Sequence, residues 1–314
     1  MNIQKVHTLE SIVEKFINYA SYRDTGSGTV AKMFHVDVEL VKTARKIANA
    51  YREKLTNDGK RVNILLLDIE TAPILVTIWR LWKQVVDTKQ VLSDWYIMSY
   101  AAKWLYGDTM ISSSLSGAEL ITQNDSRLLV ELNYLLDSAD IIITYNGSRF
   151  DLPKINTRFL LHNLTIPGKY QHIDLLKVVK ENFSFSSNSL GYVCRQLGLS
   201  TKDESKYEWW QQAYFGDEEA MEKLQLYNNQ DVIALEDLYM KLRPWVTNHP
   251  NLNLYAETIE HRCGVCGGSN LTPRGYSMTA VGKYPVHKCN DCGALLRERR
   301  SVLTRTENKI LLKN

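Results

Sequence analysis

The stretch NILLLDIE, residues Asn63 to Glu70, decides how the rest of the chain is read. Ile64 to Leu67 are four consecutive aliphatic residues, and Ile69 continues them, which predicts a buried β-strand rather than one face of a helix. Because side chains alternate along a strand, Asp68 and Glu70 leave its C-terminal end on one face. Two carboxylates held side by side repel and raise each other's pKa, whereas a hard divalent cation such as Mg²⁺ or Mn²⁺ keeps both ionised. A strand end meeting solvent gives the same Asp-x-Glu pattern, so this pair alone leaves both readings open.

Upstream, the polar run TNDGKR (56–61) contains an Asp-Gly turn signal and marks a boundary after a helical module over residues 1–60. Downstream, aromatic and β-branched content predicts strands at Trp95 to Tyr106 and Thr109 to Leu115. Asp125 to Ser138 carries Leu128, Leu129, Leu132, Leu135 and Leu136 on one helical stripe, and Ala139 to Tyr145 reads as another strand. Most of the chain from Asp151 to Arg243 reads as helices, and the prolines of RPWVTNHPNLN (243–253) end the pattern. Strands first, helices later and a strand–helix–strand unit between them predict an α/β domain over 62–245, a mixed sheet flanked by helices.

Two further segments place acids where a sheet could gather them. In ADIIITYNGSRFDLP (139–153) an apolar strand runs into Asn146, and Asp151 opens the next helix, where it could equally serve as an N-terminal cap. In LQLYNNQDVIALEDLY (224–239) Tyr227 and Asp231 lie four residues apart on one helical face, a spacing common by chance. Taken in order, Asp68-Ile-Glu70, the segment Tyr145 to Pro153, and Tyr227-x-x-x-Asp231 resemble the DEDD superfamily of 3′–5′ exonucleases in its tyrosine-bearing subclass. The likeness is to the proofreading exonuclease domain of family B DNA polymerases, over roughly residues 62 to 243.

That resemblance implies a ribonuclease H-like fold and a two-metal phosphodiester hydrolase working at DNA 3′ ends. By the same resemblance, Asp68, Glu70 and Asp231 hold one Mg²⁺ or Mn²⁺, Asp68 and Asp151 hold a second, and Tyr227 orients the nucleophile. Asn146 and Phe150 match positions that contact the terminal nucleotides, and Thr71 offers its backbone to the 3′-terminal sugar. Asp174 and His172 fall between the motifs, but the ligand set is complete without them, and Asp174 reads as a helix cap. Trp209, Trp210, Tyr214 and Phe215 could stack bases, although core packing accounts for most such aromatics.

At the C-terminus, Cys263-x-x-Cys266 and Cys289-x-x-Cys292, each pair followed by glycine, have the spacing of a zinc ribbon over 258–314. Four thiolates leave no open coordination position, so one Zn²⁺ there is structural and catalysis belongs elsewhere. His261 and His287 adjoin the knuckles without being needed as ligands to it. Arg274, Lys283, Lys288, Arg297, Arg299 and Arg300 suit phosphate contacts, and a protein-binding ribbon is the other reading. Cys194 sits in an apolar helical pattern and reads as core.

The N-terminal segment from Gly26 to Lys54 resembles a helix-turn-helix, with Ala31, Phe34, Val36 and Val41 packing, Asp37 capping and His35 at the turn. In that motif Lys42, Arg45 and Lys46 would meet a DNA groove, and a small helical docking bundle is the other reading.

Among 314 residues, 44% are hydrophobic and 23% charged, which excludes disordered, collagen-like and coiled-coil classes. The net charge of +3 divides into +4 for residues 1–62, −8 for 63–260 and +7 for 261–314. Basic flanks around an acidic centre suit a polyanion and cations together, and they equally describe three solvated surfaces. No apolar run approaches the ~20 residues that cross a bilayer, and MNIQKVHTLESIVEK lacks a secretory pattern. The expectation is a cytoplasmic DNA exonuclease of a bacterial or phage-infected cell, with replication or recombination proteins as possible partners and no membrane. Too few residues follow the third motif for a polymerase, so the enzyme is expected to stand alone. Alternatives are an inactive DNA-binding scaffold, an RNA exonuclease and a structure-selective endonuclease.

Overall fold

The computed structural model describes residues 9–18, 25–56, 62–82, 85–199, 206–256 and 259–311. Most of the TNDGKR boundary lies outside the described residues. An N-terminal module comprises α1 (Leu9–Asn18), α2 (Ser27–Phe34) and α3 (Val38–Thr56). Leu9, Ile12, Val13 and Phe16 of α1 pack against Val30, Ala31 and Phe34 of α2 and Val41, Ala44 and Ala48 of α3. His35 ends α2 in the left-handed region, at φ 53° and ψ 45°, and the Asp37 carboxylate accepts from the Glu39 amide at 2.6 Å. The turn expected between two packed helices is therefore formed.

The central domain begins with β1 (Ile64–Thr71), passes through a short hairpin of β2 (Leu75–Val76) and β3 (Val91–Ser93), and continues as β4 (Ile97–Trp104) and β5 (Met110–Ser114). Helices α4 (Gly117–Thr122) and α5 (Ser126–Ser138) lead into β6 (Ile141–Thr144), α6 (Asp151–Leu161) and β7 (Gln171–Asp174). Then come α7 (Leu175–Asn182), α8 (Leu190–Gln196), α9 (Tyr207–Tyr214) and the long α10 (Glu218–Leu242). The sheet order is β5-β4-β1-β6-β7, antiparallel from β5 to β1 and parallel from β1 to β7. Strand β7 is the one strand in a stretch that otherwise holds helices among the described residues, and the sequence reading does not single it out; Ile173 is its one apolar residue, too little periodicity to signal a strand.

Alternation along β1 assigns its two faces. Leu65, Leu67 and Ile69 join the core formed with Leu128, Leu132 and Leu136 of α5. Ile64 and Leu66 join the core on the opposite face with Val232, Leu235 and Leu238 of α10. Asp68 and Glu70 continue the row of Ile64 and Leu66, so the strand points its carboxylates toward the α10 side.

The buried Asp125 ties the layers together. Its carboxylate accepts from the Ile97 amide at 3.0 Å and from Arg158 Nε and Nη2 at 2.7 and 2.6 Å, joining the start of α5 to β4 and α6. Cys194 is fully buried, as expected.

The C-terminal ribbon is a three-stranded antiparallel sheet of β8 (Leu271–Thr279), β9 (Gly282–Cys289) and β10 (Leu295–Arg297), followed by α11 (Arg305–Ile310). Its buried apolar cluster is only Cys263, Val265, Cys289 and Ala294. Among the described residues no helix is long and apolar enough to cross a membrane.

The basic residues of α3 have partners within the chain. Lys46 donates to the carbonyl of Ser112 on the edge strand β5, and burial lowers its pKa. Arg45 donates to the carbonyl of Thr25 and lies 4.8 Å from the centre of the Phe16 ring. The Lys46 head thus rests on the otherwise open edge of the sheet while the residue stays exposed, Arg45 is half-buried, and Lys42 pairs with Glu39 on the surface. Val130 and Tyr134 of α5 pack on the same helical core, which docks the module against the central domain.

Candidate active site and thiolate centre

Helix α10 carries an apolar seam at Met221, Leu224, Leu235, Leu238 and Leu242, with the alternating three- and four-residue steps of a face packed along its whole length. Asn228 and Asp231 occupy two positions of that seam and are buried where it meets the end of β1. The result is a carboxylate cluster: one ligand oxygen each from Asp68, Glu70 and Asp231, all within 4.8 Å of one another.

Asp151 lies outside that set and beside it. As the first residue of α6 it is 1% exposed, and one oxygen accepts from the Ile69 amide, between the two β1 acids, at 3.2 Å. Burial, reinforced by the charges of Asp174 and Asp231, raises its pKa to about 7 against two hydrogen bonds that lower it. A carboxyl so placed favours its neutral form unless a cation joins it, and the donor set of hard oxygens fits Mg²⁺ or Mn²⁺.

The turn that delivers Asp151 is built around Gly147. A Cβ there would lie 2.2 Å from Thr144 Oγ1, which accepts from the Gly147 amide at 3.0 Å. Asn146 adopts a left-handed φ of 70°, and its amide donates to Asp174 Oδ1 at 2.8 Å. The other Asp174 oxygen accepts from the Ser148 amide and hydroxyl, and Oδ1 also caps α7 through the Leu176 amide at 3.1 Å. Burial raises the Asp174 pKa, but these donors outweigh it and the net shift is downward. Asp174 is thus occupied in holding the turn, as the cap reading expects. His172 meets Thr144 Oγ1 at 2.9 Å.

Tyr227 sits one turn before Asp231, its ring edge-on to Trp210 with centroids 5.8 Å apart. Phe150 is exposed at the start of α6, with Lys154 Nζ 5.0 Å from its ring centre. Thr71 closes β1 at an irregularity in its pairing with β4.

Two contacts to the cluster are absent from the sequence reading. Asn228 Nδ2 donates to Asp68 Oδ2 at 2.6 Å, with the Ser99 hydroxyl 3.4 Å from its carbonyl oxygen. The Trp210 indole N–H donates to Glu70 Oε2 at 3.2 Å, a role beyond the base stacking or packing considered for it. The apolar seam of α10 carries the signal for Asn228, since an amide on such a seam needs a partner. Nothing in the spacing of α9 signals the Trp210 contact. Tyr214 is buried, and Phe215 is 75% exposed.

In the ribbon, Cys263 and Cys292 bring their sulfurs to 3.7 Å and Cys266 and Cys289 to 3.6 Å. Zn–S bonds of about 2.3 Å in tetrahedral geometry set sulfurs about 3.8 Å apart, so the four thiols fit a Zn²⁺ ion. Gly267 and Gly293 take left-handed φ values of 76° and 83°, the turns for which glycine is suited. Burial pushes the Cys263 thiol up to about 11, a cost that a bound cation removes. Arg274, Lys288, Arg297, Arg299 and Arg300 are exposed around it, while Lys283 lies 4.3 Å from the Tyr276 ring centre.

The mixed sheet flanked by helices is consistent with a ribonuclease H-like fold. A family model described as RNase_H superfamily matches residues 114–243, a span that includes Asp151, Tyr227 and Asp231 and begins after Asp68 and Glu70. Among solved structures the chain is similar to the family B DNA polymerase from the hyperthermophilic archaeon Pyrobaculum calidifontis, at 19% identity and a TM-score of 0.44. That similarity covers 58% of this chain and 25% of the polymerase chain, so the two share about a quarter of the polymerase's length. No curated protein matches. The match to that superfamily model over residues 114–243 supports a nuclease-type function.

Proposed function

We propose that the protein is a metal-dependent 3′–5′ exonuclease that hydrolyses phosphodiester bonds at DNA 3′ ends. The observation that carries this reading is the convergence of Asp68, Glu70 and Asp231 within 4.8 Å, with the buried Asp151 beside them, on a ribonuclease H-like sheet. Asp68, Glu70 and Asp231 would hold one divalent cation, and Asp68 with Asp151 a second. When bound, such a pair supplies charge stabilisation to the entering and departing oxygens of an in-line phosphoryl displacement.

The chain's own residues position that chemistry. Asn228 fixes one oxygen of Asp68 and Trp210 one oxygen of Glu70, which limits the rotamers of both carboxylates. Tyr227 presents its phenol to orient the attacking water, held in place by the edge-on Trp210 ring. Phe150 and Asn146, in the turn that leads into Asp151, contact the terminal nucleotides, and the Thr71 backbone meets the terminal sugar.

The test is hydrolysis of end-labelled DNA and RNA, with free or blocked 3′ termini, in EDTA, Mg²⁺ and Mn²⁺. Expected is release of mononucleotides from free DNA 3′ ends with either metal, none in EDTA, and none from the Asp231→Asn variant. Equal activity in parent and variant contradicts the site; preference for RNA contradicts the substrate class, and cleavage despite a blocked terminus contradicts the exonucleolytic mode.

A further inference from the structure

The ribbon contains an eight-residue repeat. His261-Arg-Cys263-Gly-Val-Cys266-Gly-Gly268 recurs 26 positions later as His287-Lys-Cys289-Asn-Asp-Cys292-Gly-Ala294. The backbone repeats with it. The Gly267 amide donates to the Cys263 carbonyl at 2.8 Å and the Gly293 amide to the Cys289 carbonyl at 2.9 Å. The Cys263 amide donates to Gly268 at 2.8 Å and the Cys289 amide to Ala294 at 2.9 Å. Each knuckle therefore carries a histidine two residues before its first cysteine, at an equivalent place in an equivalent turn.

Bringing the cysteines together brings those histidines together as well. Their rings meet edge to face with centroids 4.9 Å apart. Glu298, just beyond β10, adds a carboxylate whose Oε1 is 2.7 Å from His287 Nε2 and 4.0 Å from His261 Nε2. The three ligand atoms lie within 4.8 Å of one another. Ligands at about 2.0–2.1 Å from a tetrahedral zinc stand about 3.3 Å apart. The observed 2.7 and 4.0 Å bracket that spacing, so side-chain adjustments of under about 1 Å would seat an ion.

We propose that His261, His287 and Glu298 form a second Zn²⁺ site, separate from the four cysteines. The donor set suits a borderline ion, two imidazoles and a carboxylate, rather than the all-oxygen sphere of Mg²⁺. Three protein ligands leave one tetrahedral position for water or an external ligand. The His261 side chain is 68% exposed and Glu298 39%, so this ion exchanges with solvent, in contrast to the closed thiolate site. The site does not rest on the nuclease reading, and its failure would leave that reading untouched.

Zinc per full-length chain, measured by equilibrium dialysis against buffered Zn²⁺ with excess Mg²⁺ to occupy the carboxylates, tests the proposal. The parent should hold one more zinc than either His261→Ala or Glu298→Gln, and a mild chelator should remove that ion first. Co²⁺ substitution checks that the variants fold: thiolate-to-Co²⁺ charge-transfer absorption should be the same in all three proteins. Equal zinc content in the parent and both variants, with that absorption intact, overturns the site. So would a difference of one ion that disappears when Mg²⁺ is raised, because the ion would then belong to the carboxylates.

Discussion

The carboxylate cluster and the thiolate cluster gather like-charged ligands by opposite means. Asp68, Glu70, Asp151 and Asp231 come from β1, α6 and α10, elements set by two large apolar cores on either side of a five-stranded sheet. The Asp68–Glu70 pair, Asp151 and Asp231 are far apart in sequence, and packing, with hydrogen bonds from Ile69, Asn228 and Trp210, fixes where they meet. The four cysteines come from two short knuckles whose own apolar cluster contains little besides two of the cysteines, Val265 and Ala294. A site carried by a packed fold can lose its ion and keep its shape, whereas a site that replaces a core cannot.

Emptying the four-cysteine site, whose geometry fits Zn²⁺, should have the largest structural effect. Structural zinc contributes about 10–16 kcal/mol of apparent binding energy in small zinc-dependent modules. Strong chelation, or a Cys263→Ser, Cys289→Ser double substitution, is expected to unfold residues 259–311 while the central sheet stays folded. Hydrogen exchange resolves the two regions; equal protection of the ribbon with and without metal would erase the contrast.

Disturbing the packed frame itself comes next. Asp125→Ala leaves the Arg158 guanidinium without its buried carboxylate and should cost about 3–5 kcal/mol in denaturant unfolding of the central domain. An unchanged midpoint would show that the frame does not depend on this pair.

Loss of a supporting contact to a metal ligand is smaller. Asn228→Leu keeps the α10 seam apolar and removes the amide contact to Asp68, and should lower metal affinity or activity about 10–100-fold with little loss of stability. A further distinction is in pH. With the folded Asp151 pKa near 7 against 3.8 normally, the folded chain holds a proton that the unfolded chain releases between those values. Metal-free stability should therefore fall as pH rises through that window, by on the order of a few kcal/mol. Stabilisation by Mg²⁺ should grow over the same window, because binding requires the ionised carboxylate. Thermal shifts at several pH values test this, and Asp151→Asn should flatten both trends.

The parts of this arrangement legible in sequence are those where a residue's chemistry conflicts with its surroundings. Ile64 to Leu67 specify a buried strand, and acids at its end are conspicuous because nothing apolar explains them. The cysteine spacing is equally local. Strand β7 escapes notice because Gln171, His172 and Asp174 leave Ile173 alone to carry the pattern, and parallel pairing with β6 supplies what periodicity does not. Arg45 and Lys46 show the converse limit. A basic helical face has the same sequence whether it meets phosphates or, as here, a ring and the carbonyls of neighbouring segments. Partners such as Trp210 depend on how α9 packs across the site, which no local spacing encodes.

The central claim is that the carboxylates share a pair of cations. Anomalous diffraction from crystals soaked in Mn²⁺ addresses it directly. Two peaks about 4 Å apart are expected, one among Asp68, Glu70 and Asp231 and the other between Asp68 and Asp151. An ordered, Mn²⁺-saturated crystal with no peak among these residues would contradict the account.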